Sequence, residues 1–209
     1  MKDRYVSPVV VKRLPRYYRY LDDLLKKNIK RISSTELSRR MGVTASQIRQ
    51  DLNCFGGFGQ QGYGYNVELL HEKIGNILGI DSGYKIIIVG AGHLGHALAN
   101  HNNFRKRGFN LVGIYDTDPA IIGTSIADIV VEDYSNMDVS ISEKQPDIAI
   151  LAVPKAAVNE VAEKLVSCGV KGILNFTYAE LDMPDEVKVE NVHISDTLMT
   201  LAYRLTETE

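Results

Sequence analysis

Three glycines at fixed spacing, Gly90-Ala91-Gly92-His93-Leu94-Gly95, follow the apolar run Ile86-Ile87-Ile88-Val89. A helical pattern comes next, with Leu94, Ala97 and Leu98 on one side. A lone G-x-G-x-x-G is a weak signal, but strand, motif and helix in that order form the context a dinucleotide pyrophosphate requires. Gly90 is expected to make the turn, Gly92 to let the backbone reach the pyrophosphate, and Gly95 to let helix and strand pack closely. Ala91, His93 and Leu94 complete the loop, and the helix N-terminus offers free N–H groups and positive potential to the phosphates. A second strand, residues 110–115, ends at Asp116, 21 residues after Gly95. A carboxylate at that place accepts hydrogen bonds from a ribose hydroxyl and repels a 2′-phosphate. The two features together predict NAD(H) as the cofactor.

Those residues need a sheet to carry them, and the chain continues in the manner of one. Residues 147–153 read as a buried strand ending at Pro154, 156–167 as an amphipathic helix, and 172–174 as a further strand followed by Asn175-Phe176-Thr177. Repeated strand and helix predict a Rossmann-like, doubly wound parallel sheet, and ligands of such sheets bind at the carboxyl ends of the strands. Val153, Pro154, Asn175 and Phe176 are therefore candidates for the nicotinamide side, although plain loop residues occur as often at such places. The chain ends on Ile194, Leu198, Leu201 and Leu205, spaced by four, three and four. That seam belongs to a terminal helix, which must bury it on its own domain or across a dimer interface.

The first 80 residues have another character. Ser33-Ser34-Thr35-Glu36 fits a capping box, Thr44-Ala45-Ser46-Gln47 repeats it, and Met41-Gly42-Val43 breaks the chain between them. The result is a helix-turn-helix. On the second helix Ala45, Ile48 and Leu52 form a narrow apolar stripe, leaving Ser46, Gln47, Arg49, Gln50 and Asn53 facing out. Such residue types bond base edges and phosphates in a major groove. The preceding segment predicts a helix with Leu14, Tyr17, Leu21 and Leu25 packed inward, and Arg13, Arg16 and Arg19 adding charge. Residues 54–67 then crowd five glycines and four aromatic rings into CFGGFGQQGYGYNV. Glycines permit tight turns and close approach to a sugar-phosphate backbone, while rings pin strands to what lies beneath. A β-hairpin placed after a helix-turn-helix is a wing. Residues 69–78 close this part as a short helix, and 79–83 read as a linker.

Charge separates the two parts. Residues 1–80 hold 14 Lys and Arg against 7 Asp and Glu, whereas the remaining residues hold 10 against 19, so a net −2 divides into +7 and −9. A basic module of this size suits a nucleic-acid partner. The longest apolar run is far shorter than the ~20 residues that span a bilayer, and the N-terminus lacks the apolar core of a signal peptide. Cys54 and Cys168 fit no metal motif and suggest a reducing, cytoplasmic setting. The expected organisation is a winged helix-turn-helix domain over 1–80, with its core at about 17–56. A dinucleotide-binding domain over 81–191 and a dimerisation helix over 192–209 follow.

RLPRYYRYL, GVTASQIRQDL, FGGFGQQGYGY, VGAGHLGHAL, VGIYDTDP, AVP and GILNFT, in this order, resemble the Rex family of redox-sensing transcriptional repressors along essentially the whole chain. The resemblance implies a homodimer with its C-terminal helix swapped onto the partner. It also implies binding of palindromic operator DNA with NAD⁺ or no ligand, and release when NADH closes the dimer. Carried over, Ser46, Gln47, Arg49 and Gln50 would read DNA, with Arg13 beside them and Gln60, Gln61 and Tyr63 in the wing. Gly90 to Gly95 would hold the pyrophosphate and Asp116 the ribose. Gln50 and Gln61 stand where basic residues are common in the family, a departure that would remove phosphate contacts or alter base preference. Arg19, His101 and His193 align with the family's switch, whose usual tyrosine and aspartate are histidines here. Since histidine titrates near ~6.5, that substitution predicts a pH-sensitive response. Two other readings stay open on residues alone. One is a small NAD-dependent dehydrogenase, which lacks a substrate domain and any evident hydride-transfer constellation. The other is a CoA- or nucleotide-binding assembly module, against which Asp116 and the winged helix weigh.

Overall fold

The computed structural model describes residues 6–56, 59–60 and 63–207, with the backbone alone for Gly59, Gln60 and Asp81. The chain divides into two compact units, the first ending at Ser82 and the second starting at Gly83.

The first unit opens with α1 (Pro8–Lys26), which buries Val10, Leu14, Tyr17, Leu21 and Leu24. The periodicity placed Leu25 on that stripe; Leu24 takes the position and Leu25 is only partly covered. The helix also starts well before Leu14 and runs through Pro15. Proline removes one helical N–H, and here the cost is limited because Val11, the residue whose carbonyl loses that partner, faces solvent. After β1 (Arg31–Ile32) come α2 (Ser34–Met41) and α3 (Ala45–Asn53). The box at α2 is complete: the Glu36 N–H donates to Ser33 Oγ at 3.1 Å and the Ser33 N–H donates to Glu36 Oε2 at 2.9 Å. At α3 only half forms. The Gln47 N–H donates to Thr44 Oγ1 at 3.1 Å, but the Gln47 side chain runs forward to Asp51 instead of back to Thr44.

The hairpin is β2 (Gly59–Gln60) against β3 (Gly64–Asn66), antiparallel, and β1 adds to the other side of β3. That third strand was not foreseen, and it explains one glycine. Gly64 has φ +69°, and a Cβ there would stand 2.7 Å from the Ile32 carbonyl oxygen. Tyr65 is buried in the core beneath, Phe55 packs against it, and Tyr63 points out. Phe58 and Gln61 lie outside the described residues. Helix α4 (Val67–Leu78), capped by the Asn66 side chain, closes the unit over Leu14, Leu37, Ile48 and Leu52.

The second unit is a seven-stranded sheet. Its elements are β4 (Tyr84–Val89), α5 (His93–Ala99), α6 (Asn103–Lys106), β5 (Phe109–Asp116), β6 (Ser125–Ile126), β7 (Ile129–Asp133), α7 (Met137–Lys144), β8 (Ile148–Leu151), α8 (Val158–Ser167), β9 (Gly172–Asn175), β10 (Lys188–Asn191) and α9 (Ile194–Thr206). The strand order is 10-9-8-4-5-7-6, parallel throughout except for the short edge strand β6 against β7. The chain leaves β4 toward β5 and β7 and later returns to the other side of β4 through β8, so the switch point lies between β4 and β8. A run such as Ile86-Ile87-Ile88-Val89, covered on both faces, is what a central parallel strand requires; these four are at most 2% exposed. One face packs under α7 and α8 through Met137, Ile141, Val161 and Leu165, and the other gathers Ile86, Ile88, Ile150, Leu98 and Phe104. Helix α9 buries none of its residues, and Ile194, Leu198, Leu201 and Leu205 are 54–66% exposed. Among the described residues no helix is long and apolar enough to cross a membrane.

Candidate dinucleotide cleft and DNA-reading helix

Each fingerprint glycine meets a different constraint. Gly90 has φ +96°, and a Cβ on it would come within 2.5 Å of the Ala152 carbonyl oxygen. A Cβ on Gly95 would sit 1.8 Å from the Gly90 carbonyl oxygen, so α5 rests directly on the end of β4. At Gly92 a Cβ would meet nothing within 4 Å. Gly92 is also the N-cap of α5, without a side-chain cap. Gly90 and Gly95 are thus demanded by the fold, whereas no atom of the chain itself demands Gly92. Ala91 is buried, while His93 and Leu94 lie exposed on the first turn of α5.

Asp116, at the end of β5, ties this loop down. Its Oδ2 accepts the Ala91 N–H at 2.5 Å, and its Oδ1 accepts the N–H groups of Thr117 and Asp118 at 2.7 and 2.9 Å. A carboxylate has about four acceptor positions, so roughly one remains for a ligand hydroxyl. Beside it opens a cleft of about 610 Å³ lined by Gly90, Gly92, Asp116, Ile121, Tyr134, Val153, Pro154 and Val161 among others. The structure thus brings Gly90, Gly92, Asp116, Val153 and Pro154 together at the switch point.

Asn175 and Phe176 are not among the residues that line this cleft. The Asn175 side chain is fully buried: its Nδ2 donates to the Ala179 carbonyl at 2.7 Å and to Asn191 Oδ1 at 2.9 Å, and its Oδ1 accepts from Thr177. It closes the turn after β9 and joins it to β10, which leaves its amide already engaged. Phe176 packs into the core on the α5 face.

Tyr134 belongs to the cleft wall and escaped the sequence reading. Its hydroxyl is buried with no hydrogen-bond partner among the described residues. Burial pushes its phenol above the usual value, against the opposing charge of Lys164. An aromatic residue after a strand end carries no local signal of this kind.

On the DNA-reading side, Ser46, Arg49 and Gln50 are exposed on α3, and Arg49 Nη1 donates to Ser34 Oγ at 3.0 Å. Tyr63 is 69% exposed on the wing, and Gln60 is described by its backbone only. Arg13 is placed differently from a phosphate contact. Its Nε and Nη2 donate to Asp51 at 2.6 and 2.7 Å, with Asp51 fully buried. Tyr17 and Gln47 complete the cluster, donating to the same carboxylate at 2.7 and 2.8 Å. Asp51 shares the apolar stripe with Ile48 and Leu52, and that was the available signal. Burial works to raise the Asp51 pKa, but the bonds from Arg13, Tyr17 and Gln47 and the Arg13 charge outweigh it and hold the carboxyl below its ordinary value. The Tyr17 phenol is pushed up by burial, then by Asp51.

A folded-state pKa below the unfolded one means that Asp51 stabilises the first unit fully above the ordinary carboxylate value of ~3.9. The contribution disappears as pH falls through the folded value. Removing one member of a buried ion pair costs about 3–5 kcal/mol. We expect Asp51→Asn to lower the stability of the first unit by that order at pH 7 and to flatten its loss of stability below about pH 4. Circular dichroism of both proteins across pH 2–7 in urea checks this.

Of the residues expected to form the switch, Arg19 is exposed on α1, and His101 is exposed with its ring edge-on to Phe104 at 5.0 Å. His193 stands at the N-cap position of α9 without a side-chain cap bond; its Nε2 lies 3.1 Å from the Thr177 carbonyl oxygen, its Nδ1 3.5 Å from Asp196, and its ring stacks on Tyr178.

A winged helix-turn-helix and a Rossmann unit with an open glycine-rich loop define a DNA-binding protein equipped to respond to a nucleotide. Residues 5–53 match the family model described as a putative DNA-binding protein N-terminus, and residues 81–179 match the CoA binding domain model. The chain is 54% identical over 208 residues to the redox-sensing transcriptional repressor Rex of Thermoanaerobacter sp. (strain X514), covering 100% of this chain and 93% of that one. It is 50% identical over 204 residues to Rex of Clostridium perfringens (strain SM101 / Type A), covering 98% and 96%. Among solved structures, RSP in complex with β-NAD⁺ and operator DNA superimposes with TM-score 0.92 at 54% identity, covering 98% of this chain and 94% of that one. RSP with β-NADH gives 0.91 at 52% identity, covering 97% and 95%. The chain belongs to the Rex family of redox-sensing transcriptional repressors.

Proposed function

We propose that this protein is a cytoplasmic, homodimeric repressor that binds palindromic operator DNA when NAD⁺-bound or free of ligand and leaves it when NADH binds. The observation that carries the reading is the Gly90–Gly95 loop tied to Asp116 beside an open cleft, in the same chain as an exposed recognition helix. Gly90, Ala91, Gly92, His93, Leu94 and Gly95 surround the pyrophosphate, Asp116 takes the adenosine ribose, and Val153 and Pro154 flank the nicotinamide. Asn175 and Phe176 act one step back, by shaping the β9 turn. Ser46, Gln47, Arg49 and Gln50 face the major groove, with Gln60, Gln61 and Tyr63 along the backbone. Arg13 acts through Asp51.

No chemistry on the cofactor is needed. NADH and NAD⁺ differ by a hydride and one positive ring charge, and a charge weighs several times more in a low-dielectric pocket than in water. Val153, Pro154, Ala157 and Val161 make the β8 side of the cleft apolar, which favours the neutral ring. Moving a two-state dimer from 1:99 to 99:1 takes ~5.5 kcal/mol of differential affinity, and two sites share it. The exposed seam of α9 supports a helix exchanged between protomers. His193 links that helix to the loop after β9, and His101 and Arg19 complete the switch.

The test for the cofactor is calorimetric titration with NADH and NADPH. NADH should bind and NADPH should bind far more weakly. Asp116→Asn should narrow that preference by an order of magnitude while also weakening NADH, because the same carboxylate anchors the Ala91 N–H. Equal affinity of the unaltered protein for both would contradict the role given to Asp116.

A further inference from the structure

The carboxylate of Asp51 receives four hydrogen bonds: two from Arg13, one from Tyr17 and one from Gln47. Three of them come from α1 and hold a side chain that is itself on the recognition helix. The fourth runs to Gln47, which is only partly covered and stands among Ser46, Arg49 and Gln50. We infer that Asp51 is a positioning residue for base readout: it fixes the amide of Gln47 on α3, while Arg13 and Tyr17 fix Asp51. The inference rests on the DNA-binding reading above and extends it to one side chain.

An ionised carboxylate only accepts, so the amide end that faces Asp51 must be the NH₂ group. The Gln47 carbonyl oxygen is left without a hydrogen-bond partner among the described residues. The second amide hydrogen is left as well, since Asp51 takes one of the two. An acceptor beside a donor is the pattern that pairs with adenine through N6 and N7 in the major groove. A free glutamine must settle three torsions to present that pattern, and turning the amide over presents it reversed. Asp51 removes both freedoms before DNA arrives. Arg13 thereby contributes to recognition without touching DNA, which accounts for one basic residue turned inward on a helix whose other basic residues, Lys12, Arg16, Arg19 and Lys26, are exposed.

The experiment is selection of operators from a random duplex library by the full-length protein, followed by anisotropy titration of the selected duplex and of single-base variants. It is run on the unaltered protein, Gln47→Ala, Asp51→Glu and the double variant. Asp51→Glu keeps the charge opposite Arg13 but moves the acceptor by one methylene. Gln47→Ala should relax one base position per half-site by roughly 5- to 150-fold, the range of a bidentate pair. Asp51→Glu should relax the same position, and the double variant should add nothing further. The slope of affinity against salt should stay unchanged throughout, since phosphate contacts are untouched. Full discrimination at that position in Asp51→Glu, or additive losses in the double variant, would overturn the inference. Should Asp51→Glu fail to fold, Arg13→Lys, which keeps the charge and loses one of the two bonds to Asp51, must show the same selective relaxation; discrimination left intact in it refutes the inference. An unaltered protein that selects no sequence overturns the DNA-binding reading itself, a result distinct from any of these.

Discussion

Gly95→Ala should push the response to NADH to on the order of 100-fold higher concentrations while leaving DNA binding in place. The new methyl carbon would stand 1.8 Å from the Gly90 carbonyl oxygen and 2.9 Å from its carbon, both backbone atoms that cannot rotate away. Helix α5 must lift off the end of β4, and overpacking of this kind costs ~1–3 kcal/mol or more. The same displacement spoils the loop that faces the pyrophosphate. We expect NADH affinity to fall by on the order of 100-fold, ~2.7 kcal/mol, with a lower melting temperature for the second unit. Gly92→Ala is the informative contrast. Its Cβ would meet nothing within 4 Å in the chain, so stability should be unchanged and only cofactor binding should suffer. Calorimetry with NADH and thermal unfolding of the two variants separate a fold glycine from a ligand glycine.

Replacing Leu198 and Leu201 with aspartate should produce monomers that bind operator DNA poorly. Both are more than half exposed on a helix that buries no residue of its own, so neither substitution opens a cavity within its own protomer, and any fall in melting temperature should be the concentration-dependent part that dimerisation supplies. Carboxylates on that seam would instead have to be desolvated in a dimer. Joining two binding modules raises affinity by ~10²–10⁴ over one module alone, and the variant should lose a factor in that range for a palindrome. Its affinity for an isolated half-site should stay as it was. Sedimentation equilibrium and anisotropy measure the two halves of this expectation. A variant that remains dimeric would remove α9 from the interface.

The glycine-rich loop, Asp116 and the complete capping box at Ser33 were legible because each is a local device whose residues lie within one turn or one βα unit. The buried tetrad Ile86 to Val89 was legible for the same reason. What the sequence concealed depends on partners far along the chain. Asp51 falls on the stripe of Ile48 and Leu52, but the partners that make a carboxylate tolerable there, Arg13 and Tyr17, lie more than thirty residues earlier. Gln47 then abandons its capping role for the same acceptor. Asn175 reads as a candidate for the nicotinamide side at a strand end, and only the return of β10 beside β9 supplies Asn191 to bond it. Strand β1 is two residues long and carries no periodicity; its trace in the sequence is Gly64, whose reason is the Ile32 carbonyl. Proline at position 15 concealed the first part of α1, because a proline usually ends a helical pattern and here lies on an open face.

The central claim is that one dinucleotide, in its reduced form, governs DNA binding. It is tested most directly by fluorescence anisotropy of a labelled inverted-repeat operator, saturated with protein at fixed salt and titrated with NADH over excess NAD⁺. Release is expected at NADH concentrations where NAD⁺ and NADPH have no effect. A protein that remains on the operator throughout would contradict it, leaving the recognition helix and the cofactor cleft as two uncoupled sites in one chain.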